Sequence, residues 1–495
     1  MPEFTIGVDI GTTGTKTVLV DLDGGRIVAQ ASRESRLYAD QPGQAEADPA
    51  QWLANVHETI REVLAHPGVS ATAVRALATT GMVPAVVAVD RAGTPLRRAI
   101  LQNDSRATLE IEQLSAKVDA AHTLATTGSA ITQQSVAPTA MWLRNNETET
   151  WSRTARLVGS YDWVLMALGA DPHVELNWSI ESGFGTLEGV PYAPMFAAAE
   201  LSEELQPAIL PPGARAGTLS AEAATATGLP AGLPLIVGGA DHVLSAYAAG
   251  VNAAGDWLVK LGGAGDVLAA SDRPVTDARL YLDAHPVPGR WLPNGCMATS
   301  GSLIRWFQTL SGGLDLLDLD AEAIERSPAE ILCLPYFLGE KSPLHDPDLR
   351  GAFVGLDLAH TRADMYRSVL EAVAFGFKHH TEVFAEVGVL LDRAMVTNGG
   401  SKSTLWKQIL ADVLDTELWP IIGHPGASLG AAVIAGIGVG AIDDWSQTDR
   451  FRTLGEPVVP NRDHVDRYAD AYTEWRTLGD VLTPVSHRLA RKARH

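Results

Sequence analysis

Asp9-Ile10-Gly11-Thr12-Thr13-Gly14-Thr15 runs out of an apolar, strand-like segment, Phe4-Thr5-Ile6-Gly7-Val8. About half a chain later Lys260-Leu261-Gly262-Gly263-Ala264-Gly265-Asp266 leaves a second such segment, Asp256-Trp257-Leu258-Val259. In the first, a carboxylate ends the strand and a tight turn of glycines and hydroxyls follows. Small residues let backbone N–H groups approach an anion, and threonine hydroxyls add donors. A polyphosphate and its cation fit such a turn. Taken singly each stretch also reads as an ordinary hairpin turn; the repeat points to two similar domains gripping one nucleotide.

Two glycine motifs are excluded. Gly11 to Thr17 reads G-T-T-G-T-K-T, too short for a P-loop, and it lacks the G-x-G-x-x-G spacing of a dinucleotide fold. The chain continues through Lys16-Thr17 into Val18-Leu19-Val20-Asp21, so the loop is a hairpin tip. That arrangement resembles the actin/hexokinase-type ATPases. The pattern predicts strands over Ile6–Asp9, Thr17–Asp21 and Ile27–Ser32, then a helix opened by Asp48-Pro49 with Trp52, Val56, Ile60 and Leu64 on one face. A strand over Val74–Thr80 completes a β-β-β-α-β order, the core of an actin-like, ribonuclease-H-like fold. The expected class is therefore α/β, with two such ATPase domains and a central cleft.

Composition agrees. A chain of 495 residues exceeds one core. Fifty-nine acidic against 38 basic side chains give a net charge of −21, which argues against nucleic-acid partners. The basic tail Arg488 to His495 reads as a frayed, solvated terminus. Cys296 and Cys333 match no metal spacing and read as buried, reduced thiols. With no signal peptide before the first strand and no apolar run long enough for a membrane, the expected location is cytoplasmic. Domains are expected over 1–245 and 246–495. Asp315 to Asp320 reads as a loop leading into a helix, with long helices over Asp364–Phe384 and Thr404–Leu414.

Asp9 is the candidate ligand for Mg²⁺, a turn-forming aspartate being the plainer reading. Asp241 follows Gly238-Gly239 at the exit of Pro234–Val237 and is the candidate general base for a hydroxyl nucleophile. It also reads as a helix N-cap, and both roles are compatible. Thr397-Asn398-Gly399-Gly400-Ser401-Lys402-Ser403-Thr404 offers a side-chain-free surface for an adenosine before a helix N-terminus. His345, His379, His380 and His424 have no metal-ligand spacing; His379-His380 reads as surface plus partial core. Trp406 and Trp419 read as core.

Taken in order, these blocks are similar to the FGGY carbohydrate kinase family, in its xylulokinase-like branch. The resemblance also rests on Gln102 to Arg106, Gly217-Thr218-Leu219, Gly228 to Gly232 and Gly239-Ala240-Asp241. Leu334 to Pro343, Arg350 to Leu356 and Pro425 to Ala432 complete it, so that it covers the whole chain. It implies ATP and Mg²⁺, with Asp9 organising the metal, Gly11, Thr12, Thr13 and Lys16 near the transferred phosphate, and Asp241 as base. It further implies Gly262 and Gly263 at the phosphates, and Gly301, Arg305, Gly399, Gly400, Ser401 and Thr404 around the adenosine. Asp104 and Arg106 match a sugar-site element; without that likeness they read as a surface ion pair. Dimers are common in the family, which allows a homodimer.

Departures from the family pattern fall on both the sugar side and the second phosphate loop. Met82-Val83 stands where xylulokinases carry a sugar-facing histidine, His242 where Asn or Gln follows the base, Gln102 where Trp is usual, and Gly263-Ala264 where Thr-Ser is common. Unmatched polar groups cost about 1–3 kcal/mol each, so the first two changes bear on which sugar is held, while Gly263-Ala264 removes hydroxyl donors from the phosphate loop. A ketopentose such as xylulose or ribulose leads; tetritols, pentitols and aldonates are alternatives. A rival from another class is a silent sugar sensor or an actin-like assembly ATPase.

Overall fold

The structure is a computed structural model that describes residues 3–423 and 426–493. His424, Pro425 and the last two residues of the basic tail, Arg494 and His495, lie outside the described residues. The chain divides into two units: Met1–Asn252 with Leu282–Leu292 and Pro425–Phe451, and Ala253–Tyr281 with Pro293–His424 and Arg452–His495.

The first unit is built on the expected meander of β1 (Phe4–Ile10), β2 (Gly14–Asp21) and β3 (Arg26–Glu34). Helix α1 (Pro49–Leu64) follows, with Asp48 accepting from Ala50 N and proline at the first turn, where its missing N–H costs nothing. Its apolar face, including Trp52, Val56 and Ile60, is buried. The sheet is completed by β4 (Val74–Gly81), β5 (Arg215–Thr218) and β6 (Pro234–Ala240), in the order β5-β6-β4-β1-β2-β3. The strands β1, β4 and β6 are parallel neighbours. Two short helices matter below: α2 (Leu176–Glu181) and α3 (Asp241–Ala248).

The second unit repeats the scheme. Strands β7 (Gly255–Leu261) and β8 (Gly265–Ala269) form a hairpin, and β9 (Leu391–Thr397) lies parallel to β7. The helices α4 (Gly301–Leu310), α5 (Arg362–Glu386) and α6 (Thr404–Leu414) surround this sheet.

Several expectations change. Asp315 caps a helix, Leu316–Ala323, by accepting from Leu317 N, so the repetitive acidic stretch is helical rather than a loop. The tail continues a helix, Arg462–Ala493, in place of a frayed end. His379 and His380 are both buried in α5. His380 donates from Nδ1 to Gly376 O at 2.8 Å, and its Nε2 lies 2.9 Å from the Ser342 hydroxyl, which is why that imidazole is tolerated inside. Trp406 is core and Trp419 half-buried. Both cysteines are free; Cys333 is buried and Cys296 half-buried. Among the described residues no helix is long and apolar enough to cross a membrane.

Candidate active site

In the first unit, three parallel strands end side by side. Ile10 lies opposite Gly81, and Gly81 opposite Ala240. The carboxyl ends of parallel strands are where such sheets bind ligands. They bring together the Asp9 loop, Met82-Val83 and Asp241. The close approach of β6 to β4 depends on Gly238, where a Cβ would sit 1.9 Å from Thr79 O. The register shifts between Val237 and Gly239, and Thr80 Oγ1 bonds Gly239 O at 2.6 Å.

The first loop closes through Gly11 N to Gly14 O at 2.9 Å, with Thr13 exposed. Lys16 stands opposite Asp9 in the β1–β2 ladder. Burial pulls the Lys16 ammonium below the usual lysine range, while the Asp9 carboxylate opposes that shift. In the second unit the pair recurs with its order swapped: Lys260 lies opposite Asp266, Nζ 3.3 Å from Oδ2. The N-terminus of α4 folds onto this second loop, Gly301 N bonding Gly262 O at 2.8 Å and Ser300 N bonding Gly263 O at 2.9 Å. Lys260 is opposite Thr397, so Gly262-Gly263 and Asn398-Gly399-Gly400 share one edge of the sheet. A Cβ on Gly263 or Gly399 would meet nothing within 4 Å, leaving backbone open to a ligand. Ser401 Oγ bonds Asn398 O at 2.7 Å, Thr404 opens α6, and Arg305 is exposed on α4.

Asp104 and Arg106 are not a surface pair. Their side chains are 2% and 5% exposed. Arg106 holds Asp104 through Nε (2.8 Å) and Nη2 (2.7 Å), and reaches Glu46 at 2.7 Å. Asp104 Oδ2 also accepts from Ala45 N at 2.7 Å. This network fixes the segment carrying Gln102, whose Nε2 lies 3.5 Å from Thr12 Oγ1. Thr12 Oγ1 in turn lies 3.8 Å from Met82 Sδ. Met82 and Val83 are buried.

Asp241 is the first residue of α3, with Ala240 as the cap residue, and its Oδ1 accepts from His242 N at 2.6 Å. Beside it stand two residues that no sequence spacing singles out. Asp283, on the strand Tyr281–Ala284, lies 2.8 Å by Oδ2 from His242 Nε2, and Glu181 Oε1 lies 3.8 Å from that nitrogen. Asn177 ties the two carriers together: its amide donates to Ala284 O at 2.9 Å and its carbonyl accepts from Ala284 N at 2.7 Å. One turn along α2 from Asn177 is Glu181, and next to Ala284 is Asp283. Burial alone would lower the His242 pKa; Asp283, Asp241 and Glu181 outweigh it and hold the imidazole well above its usual range. Burial, reinforced by Asp283, pushes the Glu181 carboxyl well up.

Among the described residues, Glu181, His242 and Asp283 are the one group of three side chains whose donors, within 4.8 Å of one another, suit a cation. The 2.8 Å contact assigns a proton to Nε2, the lone pair a metal would need. Hydrogen bonding therefore explains the cluster better. The residues that fit Mg²⁺ are those of the first loop, where the carboxylate of Asp9 meets a turn of small residues.

With this geometry in place, the comparisons are specific. Residues 4–248 match the N-terminal domain model of the FGGY family of carbohydrate kinases, and residues 259–439 its C-terminal domain model. The solved xylulose kinase from Rhodospirillum rubrum is 40% identical, with a TM-score of 0.93 over 98% of this chain and 100% of that one. The xylulose kinase of Staphylococcus epidermidis is 26% identical over 96% of both chains. A gluconokinase of Bacillus subtilis is 24% identical over 99% of this chain and 96% of its own.

Proposed function

Because the chain belongs to the FGGY family of carbohydrate kinases, and is thus an ATP-dependent sugar kinase of two-domain α/β fold, we propose that it phosphorylates a neutral ketopentose such as xylulose or ribulose, with Asp241 as general base. The observation that carries this is the placement of Asp9 and Asp241 at the ends of strands flanking β4, one beside the phosphate turn and the other at a helix start. Asp241 is 39% exposed on its side chain, so a substrate hydroxyl can reach it.

In this reading Asp241 accepts the hydroxyl proton as the oxygen attacks the γ-phosphorus and ADP leaves. Asp9 holds Mg²⁺, which when bound neutralises phosphate charge. Gly11, Thr12, Thr13 and Lys16 orient the transferred phosphate. The domain assignment is proposed on the same basis: residues 1–245 supply the sugar site and base, joined by Asp283 from the segment Leu282–Leu292, and residues 246–495 otherwise supply the ATP site. Gly262 and Gly263 take the phosphates; Gly301, Arg305, Gly399, Gly400, Ser401 and Thr404 take the adenosine. Met82, Val83 and His242 shape the sugar side. Asp104 and Arg106 support it by holding the Gln102 segment against Thr12.

Charge favours a neutral substrate over an aldonate. Three acidic side chains, Asp241, Asp283 and Glu181, face the single imidazole of His242. A substrate carboxylate would enter a cluster in which acidic side chains outnumber the basic one. A coupled ADP-release screen over xylulose, ribulose, tetritols, pentitols and gluconate tests this. The expected outcome is turnover with a ketopentose and little with gluconate. Preference for gluconate overturns the substrate class, and sugar-independent hydrolysis or polymerisation supports an assembly ATPase.

A further inference from the structure

His242 and the two carboxylates beneath it are arranged around the base rather than around open space. The backbone N–H of His242 already donates to Asp241 Oδ1, and its ring Nδ1 lies 3.5 Å from the same oxygen. Its other nitrogen is committed to Asp283, whose side chain is only 2% exposed. We propose that His242, fixed by Asp283, is a positioning residue that holds Oδ1 of Asp241 from two sides and leaves Oδ2 to accept the proton of the substrate hydroxyl. This rests on the reading of Asp241 as the base.

The physical argument has three parts. A carboxylate as buried as Asp283 is unfavourable unless paired, and pairing it with His242 makes the ring an imidazolium with both nitrogens donating. One donor goes to Asp283; the other nitrogen lies 3.5 Å from Asp241 Oδ1, and such contacts tighten when substrate closes the site. Finally, Asn177 locks α2 to the strand carrying Asp283, so Glu181 and Asp283 meet the ring from fixed supports. The step balances simply: the substrate O–H proton passes to Asp241 Oδ2, the O–P bond forms, the bond from the γ-phosphorus to the ADP oxygen breaks, and His242 keeps both its protons.

The titratable groups facing His242 are Asp283 from its strand, Glu181 from α2 and Asp241 from its own helix. When pH rises far enough to remove one ring proton, Asp283 retains the Nε2–H tautomer. Nδ1 then turns a lone pair toward Asp241 Oδ1, and of the two holds on the base only the backbone N–H of His242 remains. Wild-type kcat therefore falls on the alkaline side.

The test compares His242→Ala, His242→Asn and Asp283→Asn with Asp241→Asn in the full chain, each checked for folding by thermal unfolding. Misplacing a reacting group by about 1 Å costs on the order of 10²-fold. We expect Asp283→Asn to lower kcat by up to about 100-fold with sugar KM changed less than about threefold, and His242→Ala, which also alters the sugar side, to lower kcat by as much. His242→Asn, whose amide N–H approximates Nδ1–H, recovers part of the rate and loses the alkaline fall. Wild-type kcat in His242→Ala or Asp283→Asn, or a loss confined to KM, overturns the positioning role. Asp283→Asn, being isosteric, decides the matter if His242→Ala does not fold. The two readings separate cleanly: an active Asp241→Asn sinks the base itself, whereas an inactive Asp241→Asn beside fully active His242 and Asp283 variants sinks only this inference.

Discussion

Replacing Arg106 with methionine tests whether the Asp104–Arg106 element is scaffold or sugar ligand. The guanidinium makes three charge-assisted bonds, two to Asp104 and one to Glu46, from a side chain 5% exposed. At about 1.5–3 kcal/mol each these would exceed any plausible net effect, because the unfolded chain regains the hydration of the guanidinium. Breaking a buried pair from one side costs about 3–5 kcal/mol in practice. The low end applies here. Glu46 keeps its ion pair with Arg97, and Asp104 keeps the N–H groups of Ala45 and Arg106. Arg106→Met should therefore lose about 3 kcal/mol in urea unfolding. Adding Asp104→Asn removes the stranded charge, so the double variant should fall short of the additive loss by about 1–3 kcal/mol. A variant with wild-type stability and only a raised sugar KM would refute the scaffold reading and make Arg106 a direct ligand.

Other outcomes follow from the same structure. Glu175 is fully buried, accepting from Tyr161 OH at 2.9 Å, and burial pushes its carboxyl up to about 7. Its folded pKa lies above its unfolded value, so its contribution is complete below about pH 4.5 and is lost as pH rises through 7. Relative to Glu175→Gln, wild type should lose about 3 kcal/mol between pH 4.5 and 8; parallel stability–pH curves for the two proteins would contradict this. At Gly400 a Cβ would lie 2.2 Å from the Trp406 ring and 2.7 Å from Leu261 Cβ. Gly400→Ala should cost about 1–3 kcal/mol and raise the KM for ATP; an unchanged ATP KM would remove this turn from the nucleotide site.

Local signals carried much of the fold. The Asp48-Pro49 start, the apolar runs of β1 and β2 and the glycine turns each act through neighbouring residues, and each stands where it was expected. The xylulokinase likeness was legible because its blocks keep their order along the whole chain. Glu181 and Asp283 were not legible, since they meet His242 only through the packing of α2 and the strand Tyr281–Ala284. The Asp104–Arg106 pair could be named from sequence, but its burial depends on Glu46, Arg97 and Ala45 arriving from elsewhere. His379 and His380 read as partly exposed because adjacent helical residues usually face different surroundings; α5 is covered on most of its faces, so both are inside.

The most direct measurement is steady-state turnover of Asp241→Asn with the preferred sugar, alongside sugar and ATP binding by calorimetry. General-base loss lowers kcat by about 10²–10⁴-fold. The side chain is 39% exposed and its place at a helix start is worth at most about 1 kcal/mol, so the variant should remain folded and bind both substrates. A variant that binds and no longer transfers is the predicted result. Transfer within a few-fold of wild type would contradict the account.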